Sequence, residues 1–286
     1  MEDLRSSNGK FRRHNAPNTS HSQDDGDDGY QDSVPVNHGC TIETCKRCSS
    51  EYNHFTRLPD EILVYNIVSK LETPELCLLK LVCKRFHRLV EEYFRHMRAL
   101  DLTKWNFMIT QQGLNHIIKH ASCLLELRLD RCWTAATEAN LLTIAKRCQN
   151  LRALTLSMCK SVTDFAVTVL SQNCTQLEEL DLSSCFMLSD EGVCNIARFC
   201  QHLRELHLSS DYGVTDISVR ELAENCHSLE ELDVSYCYKV TNSSVREFVT
   251  NQKSSLKLLR IKNCTGVTQD VVEKLFVKGI TVNNMF

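Results

Sequence analysis

The chain has 286 residues, of which 24% are charged and 42% are hydrophobic, and its formal net charge at pH 7 is −3. This balance does not call for a nucleic-acid or membrane partner, and no run approaches the ~18 apolar residues of a membrane helix. The stretch 1–17 has no apolar segment of the kind found in secretory signals, so we expect the cytoplasm, with the nucleus as a second location.

Residues 1–53 are rich in Ser, Asn, Asp, Gly and His and contain an acidic run at 24–28. Such a composition buries too little apolar surface to offset the entropy of ordering, so we predict a disordered tail. Near its end, Cys40, Cys45, Cys48 and His54 have a spacing that can ligate zinc, although only one C-x-x-C pair is present. Solvent-exposed thiols are the alternative, and we predict no metal and no cofactor.

Residues 54–96 form the second predicted unit, with three short amphipathic helices. Pro59 and Pro74 suit the first turns of helices, and Thr73 suits a helix cap. The leucines alternate between two faces, which is more apolar surface than a unit of about 40 residues can bury in its own interior. Part of this surface is therefore expected to contact a partner.

This second unit resembles the F-box motif, which it matches at Leu58-Pro59-Asp60-Glu61-Ile62-Leu63, at Leu71 and at Val82-Cys83-Lys84-Arg85-Phe86. The family most often has Trp where this chain has Phe86. The resemblance implies docking onto the Skp1 adaptor and, through Skp1, to cullin-1 and a RING subunit. The residues expected to contact Skp1 are Leu58, Pro59, Ile62, Leu63, Leu76, Leu79, Val82 and Phe86. The alternative is a helical cap over the open end of the repeats that follow.

Residues 97–286 are organised by a repeat with the frame C-x-x-L-x-x-L-x-L-x-x-C. Its closing position falls at residues 105, 132, 159, 185, 211, 237 and 264, in steps of 26 or 27. Leucines two residues apart, such as Leu180 and Leu182, predict a short strand with one buried face, and Thr163-Asp164 is typical of a helix start. Neither element can bury its apolar face alone. Stacked copies therefore predict an α/β solenoid with a parallel concave sheet and a short C-terminal cap.

Most of the 16 cysteines are explained by this frame. The frame cysteines are Cys132, Cys148, Cys159, Cys174, Cys185, Cys200, Cys226, Cys237 and Cys264, and we predict that they are buried, protonated and inert. Asp211 replaces one closing Cys, and we expect its carboxylate to accept neighbouring backbone N–H groups. These residues resemble the cysteine-containing leucine-rich-repeat family. An F-box followed by such repeats is the architecture of the F-box/leucine-rich-repeat proteins.

The resemblance implies a non-catalytic substrate receptor of a Skp1–cullin–F-box (SCF) ubiquitin ligase. Its repeats would hold a protein substrate for ubiquitination and proteasomal degradation, which is catalysis by proximity supplied to another enzyme. A binding scaffold or inhibitor without a ligase role is the alternative. An enzyme is disfavoured, because the sequence has no Gly-rich phosphate loop, nucleophile elbow or H-E-x-x-H motif.

The candidate substrate-binding residues come from two positions of the repeat. Strand residues between the buried leucines must point to the concave side, where Glu179, Asp181, Glu205, Glu231 and Asp233 predict an acidic centre that also contains His207. The residue after the closing position places Trp133, Phe186, Tyr212 and Tyr238 along one rim. We predict that the aromatic side chains anchor a protein substrate and that the acids steer a basic segment of it. Shielding of the next helix start is the alternative for the aromatic residues. For the acids, the alternative is that Leu-Glu-Glu-Leu-Asp is simply a common sequence of this repeat class.

Overall fold

The structure is a computed structural model that describes residues 57–283. The predicted disordered tail and the Cys40, Cys45, Cys48 and His54 group lie outside the described residues. Within residues 57–283, no helix combines the length and the apolar character needed to cross a bilayer.

Three α-helices open the described part of the chain, as the sequence predicts. They are α1 (Asp60–Asn66), α2 (Thr73–Leu79) and α3 (Lys84–His96), and a 3-10 turn (Val68–Lys70) lies between the first two. The start of α2 differs from the prediction. Glu72 rather than Thr73 is the N-cap, and the Glu75 carboxylate accepts the backbone N–H of Glu72 at 2.8 Å. This contact satisfies an N–H that the helix itself leaves unpaired.

Short strands and helices then alternate to the end of the described residues. The strands are β1 (Ala99–Asp101), β2 (Glu126–Arg128), β3 (Ala153–Thr155), β4 (Glu179–Asp181), β5 (Glu205–His207), β6 (Glu231–Asp233), β7 (Leu258–Arg260) and β8 (Thr281–Asn283). The helices are α4 (Gln111–His120), α5 (Glu138–Arg147), α6 (Asp164–Asn173), α7 (Asp190–Phe199), α8 (Asp216–Asn225), α9 (Asn242–Thr250) and α10 (Gln269–Val277). The strands form one parallel sheet in chain order, which confirms the predicted α/β solenoid.

The sheet is in register, so equivalent residues of successive repeats lie side by side. The middle residues of neighbouring strands are aligned and buried, as for Leu127, Leu154 and Leu180 of β2, β3 and β4. The residues on either side of them in the strands mostly keep some exposure. Helices are about 10 Å wide and strands lie about 4.8 Å apart, so the sheet takes the inner, concave side. The prediction that the residues flanking each middle leucine face the concave side is therefore confirmed.

Helix starts are joined from one repeat to the next by aspartate side chains. Asp190, the first residue of α7, accepts the backbone N–H of Thr215 at 2.9 Å and its hydroxyl at 2.6 Å. Asp164 makes the same two contacts with Ser189, at 2.8 and 2.7 Å. Thr215 in turn caps α8 by accepting the N–H of Ile217 at 3.1 Å. The predicted Thr/Ser caps are thus confirmed, and each is held by the preceding repeat.

The nine frame cysteines are all buried, as predicted. The thiols at closing positions donate to carbonyl oxygens of the preceding repeat, for example Cys159 Sγ to Leu129 at 3.2 Å and Cys237 Sγ to Leu208 at 3.1 Å. Burial raises the pKa of Cys159 to about 12, so the thiol stays protonated at neutral pH. These cysteines therefore act as small core residues with a weak hydrogen-bond donor.

Asp211 plays the role expected of it only in part. Its side chain is fully buried, and neither carboxylate oxygen makes a hydrogen bond of normal geometry, but the backbone N–H of Cys185 lies close enough to oppose the rise in its pKa. Burial raises the pKa of Asp211 to about 8, which keeps the carboxyl protonated at neutral pH. The reason is its position in the frame. At the equivalent place, the thiols of other repeats face a carbonyl oxygen together with the backbone N–H of the preceding closing residue, a site that suits a neutral group better than a carboxylate.

Replacing Asp211 with cysteine is expected to stabilise the solenoid by about 1–3 kcal/mol at pH 7, the usual cost of a poorly satisfied buried polar group. At this pH the Asp211 carboxyl must take up a proton on folding, whereas a buried thiol is already neutral. Below pH 4, Asp211 is protonated in the folded and the unfolded chain. As the pH rises towards 8, only the unfolded chain loses this proton, so the native protein loses stability. Urea unfolding of both proteins between pH 5 and pH 9 should therefore show a difference that grows up to about pH 8. A constant difference would contradict the neutral, buried state of Asp211.

Alkylation should separate the frame cysteines from the exposed ones. Cys77 and Cys123 are exposed and should react with iodoacetamide in the native protein, whereas Cys159, Cys185 and Cys237 should react only on unfolding. Peptide mass spectrometry after native and denatured labelling measures both groups in one sample. Rapid native labelling of all three frame cysteines would show that their burial is wrong.

Candidate interaction surfaces

An arginine–aspartate contact fixes the start of α1 against α3. The Arg85 guanidinium donates to Asp60 Oδ1 from Nη2 at 2.6 Å and from Nε at 2.8 Å, and it also donates to the carbonyl of Leu58. Arg88 reaches the other oxygen of Asp60 at 3.3 Å. The hydrogen bonds from Arg85 lower the pKa of Asp60. The Leu58-Pro59 entry to the helix is therefore held in one orientation.

The residues predicted to contact an adaptor fall into three groups. Pro59, Ile62 and Val82 are exposed, and Leu58, Leu79 and Phe86 are partly buried. Leu63 and Leu76, by contrast, are 0% and 1% exposed. These two side chains have no accessible surface for a partner, so their assignment as contact residues is corrected. They support the helices from inside.

Sequence reasoning missed three exposed apolar residues of this region. Tyr65, Leu78 and Leu81 are 72%, 65% and 80% exposed. The signal was helical phase, because Leu78 lies two residues after the buried Leu76 and therefore points to the opposite side of α2. With Val82, Leu78 and Leu81 form a continuous apolar stretch at the end of α2, which we call the α2 patch.

A buried lysine joins the first three helices to the repeats. The Lys80 ammonium contacts Glu91 Oε1 on α3 at 3.2 Å and His116 Nε2 on α4. Burial, followed by the charge of Lys80, lowers the pKa of His116, so its ring is neutral at neutral pH and can accept this hydrogen bond. His120 on α4 lies 3.5 Å from the same oxygen of Glu91. Helices α2, α3 and α4 thus meet at one polar cluster.

Three of the predicted rim residues stack on one another. The rings of Phe186 and Tyr212 lie 5.9 Å apart with a 17° interplanar angle, and those of Tyr212 and Tyr238 lie 5.9 Å apart at 14°. All three are more than half exposed. We call these three residues the aromatic stack. Trp133 lies further along the rim, where its ring meets Phe107 edge to face and Lys160 Nζ lies 5.0 Å from its centroid.

The loops that carry the aromatic stack are held by their neighbours. Ser184, Ser210 and Tyr236, two residues before the aromatic side chains, have φ of 61°, 66° and 62°. Single parallel bridges join Ser189 to Gly213 and Thr215 to Lys239 across successive loops. A Cβ atom on Gly213 would lie 2.1 Å from the Leu188 carbonyl oxygen, so only glycine permits this approach. The stack is therefore displayed on a rigid, preorganised edge.

The acidic residues of the concave face differ in their availability. Asp181 and Asp233 each accept the backbone N–H two residues ahead, at 2.8 Å. Glu231 is paired with Arg260 and lies 3.7 Å from His207. Glu179 and Glu205 have no lysine or arginine within 4.0 Å among the described residues. The carboxylates without a salt bridge thus lie on β4 and β5, whereas Glu231 is paired with a basic residue of its own chain. Its assignment as a substrate contact stays a prediction.

Two groups of side chains in residues 57–283 have the donor types of a metal site. They are Glu91, His116 and His120, and Glu205, His207 and Glu231. Each group already contains a cation from the chain, since Lys80 contacts the first and Arg260 contacts the second. In each group one carboxylate is already paired with this cation, which leaves fewer than three donors, so we assign no metal to either group.

Two family models match the chain. A model described as F-box-like matches residues 55–100, which include α1, α2 and α3, and a model described as Leucine Rich repeat matches residues 173–197, which include β4 and Phe186. The chain combines an F-box-like region with leucine-rich repeats.

Solved structures similar to this chain share low sequence identity with it. They include the yeast complex of Rad7 and Elc1 (20% identity, TM-score 0.46, covering 81% of this chain and 68% of that chain). An internalin of Listeria monocytogenes shares 18% identity at a TM-score of 0.42, covering 62% of this chain and 57% of the internalin chain. The Drosophila Toll–Spatzle complex shares 16% identity at a TM-score of 0.41, covering 62% of this chain and 21% of that chain. The chain thus covers about a fifth of the Toll–Spatzle chain that it resembles.

Proposed function

We propose that this protein is the substrate-recognition subunit of an SCF ubiquitin ligase, with no catalytic site of its own. In this proposal the F-box-like region binds Skp1, which connects it to cullin-1 and the RING subunit, and the leucine-rich repeats bind a protein substrate for ubiquitination and proteasomal degradation. The supporting observation is the combination in one chain of an F-box-like region that exposes an apolar patch and repeats that display a rigid aromatic stack.

Within the F-box/leucine-rich-repeat proteins, the proposal extends to a resemblance to F-box/LRR-repeat protein 15. The features in its favour are Phe86 in place of the usual Trp and the segment Lys278-Gly279-Ile280-Thr281-Val282. We also propose a cytoplasmic location, with the nucleus as a second one, because a reducing compartment suits a chain with so many thiols.

The adaptor-binding part of the proposal is tested by charging two exposed apolar residues of the F-box-like region. Ile62→Asp with Val82→Asp should reduce Skp1 binding at least tenfold, because each apolar side chain buried in an interface contributes about 1.5–3 kcal/mol. The melting temperature should change little, since both side chains are exposed. Co-expression followed by one-step purification measures the Skp1 that remains bound.

A matched control exists on the repeats. Ile217 and Val277 are equally apolar and are 62% and 90% exposed. Ile217→Asp with Val277→Asp should leave Skp1 binding unchanged. If the Ile62 and Val82 variant co-purifies with as much Skp1 as the control, the adaptor role is wrong and a stand-alone scaffold or inhibitor becomes the better interpretation.

The substrate-binding part is tested on the rim. Trp133→Ala, Phe186→Ala and Tyr238→Ala combined should remove the proteins captured from cells under proteasome inhibition, while Skp1 stays bound, because aromatic residues are frequent anchors of interfaces. Quantitative mass spectrometry compares this variant with Phe276→Ala, which truncates a similarly exposed aromatic residue on α10. Capture that survives all three truncations at an unchanged melting temperature would place the substrate elsewhere.

A further inference from the structure

The centre of the concave face has an unusual charge distribution. On β4, β5 and β6 the residues that flank the buried leucines are Glu179, Asp181, Glu205, His207, Glu231 and Asp233, with no lysine or arginine among them. At the equivalent strand positions of neighbouring repeats, the nearest basic residues are Arg128 on β2 and Arg260 on β7. Arg260 is used by Glu231, whereas Glu179 and Glu205 make no salt bridge with a lysine or arginine of the described residues. Arg152 and Arg204 lie near them, but each of these arginines pairs with another glutamate, Glu178 or Glu230.

The aromatic stack lies at the ends of these same three strands. Phe186 follows β4, Tyr212 follows β5 and Tyr238 follows β6, five residues after the last residue of each strand. Apolar rings and free carboxylates are therefore carried by the same three repeats. Glu179 and Glu205 begin their strands and the rings follow the strand ends, so a ligand must be extended along the strands to meet both.

The rim itself shows what such a ring can bind. In the two preceding repeats, the residues after the closing position are Trp133 and Lys160. The Lys160 ammonium lies 5.0 Å from the centroid of the Trp133 ring, a distance at which a cation is attracted by the ring. No lysine or arginine of the described residues occupies the same place over Phe186, Tyr212 or Tyr238. Tyr212 has a neighbouring ring on each side, so the surface left for a cation from another molecule lies at the two ends and the outer edge of the stack.

We propose that the aromatic stack and the carboxylates of Glu179 and Glu205 together recognise an arginine-containing extended segment of a partner protein. The proposal rests on the proposed function, whose substrate site it specifies. An arginine side chain fits both features, because its flat guanidinium stacks on aromatic rings and its N–H groups pair with carboxylates. A lysine ammonium can satisfy the carboxylates but gains less from the rings. Acidic segments and nucleic acids are repelled by the same charges.

The test uses two labelled synthetic peptides, Gly-Arg-Gly-Arg-Gly-Arg-Gly and the same sequence with lysine, titrated with the full chain in fluorescence anisotropy. The arginine peptide should bind about threefold more tightly than the lysine peptide. Phe186→Leu with Tyr238→Leu should remove this preference, since leucine keeps apolar area but has no ring. Glu179→Gln with Glu205→Gln should weaken both peptides about tenfold and reduce their salt dependence.

A control removes equal charge from the helical face. Glu224→Gln with Glu273→Gln changes two exposed residues of α8 and α10 and should leave peptide binding unchanged. If the control variant loses as much peptide affinity as the variant of Glu179 and Glu205, the peptides are attracted by net charge alone. This result would overturn the proposed site. Equal affinity for the two peptides, or no saturable binding below about 1 mM, would also overturn it.

Failure of this inference is distinguishable from failure of the proposed function. Skp1 co-purification is measured on the same preparations and depends on the F-box-like region. Retained Skp1 binding without arginine selectivity contradicts only the ligand assignment. Arginine-selective binding by a chain that does not bind Skp1 contradicts only the ligase role.

Discussion

The structure depends on one constraint: a single repeat cannot bury its own apolar face. A three-residue strand and a ten-residue helix contribute one buried leucine row and one apolar helix face, and both are covered only by neighbouring repeats. The in-register sheet, the buried thiols and the aspartate contacts between helix starts all follow from this stacking. Because each is made between repeats rather than within one, they stabilise the solenoid cooperatively.

Stacking also determines where this protein can bind something else. The middle residue of each strand, a leucine in β1 to β7 and Val282 in β8, is buried against the helices. The residues that flank it face the concave side and are left for solvent or for a partner. The loops after the strands are held in a left-handed conformation and bridged to one another, which leaves Phe186, Tyr212 and Tyr238 no room to collapse into the core. Exposed apolar rings on a rigid edge lose little entropy on binding.

The same core continues into the F-box-like region. Val68, Leu76, Val90 and Phe94 belong to one hydrophobic cluster with Leu100 and the leucines of the repeats, and Lys80 links α2 to α3 and α4. The α2 patch and the rim are therefore parts of one continuous body. The ligase role proposed above would use this continuity, because a substrate held at a fixed distance from the ligase would be presented at high effective concentration.

The sequence alone determined the architecture. Its period of 26 or 27 residues, its leucine spacing and its Thr/Ser–Asp helix starts are local patterns, and they recur in successive repeats. It also identified the rim, since one position of the frame carries the aromatic residues. It did not identify the buried members of the adaptor set, the state of Asp211 or the pairing of Glu231. Whether Leu63 or Ile62 faces outward depends on how α1 lies on α3, and the availability of Glu231 depends on Arg260, 29 residues later. These outcomes were decided only by the tertiary structure, because burial and charge pairing are properties of neighbours that are distant along the chain.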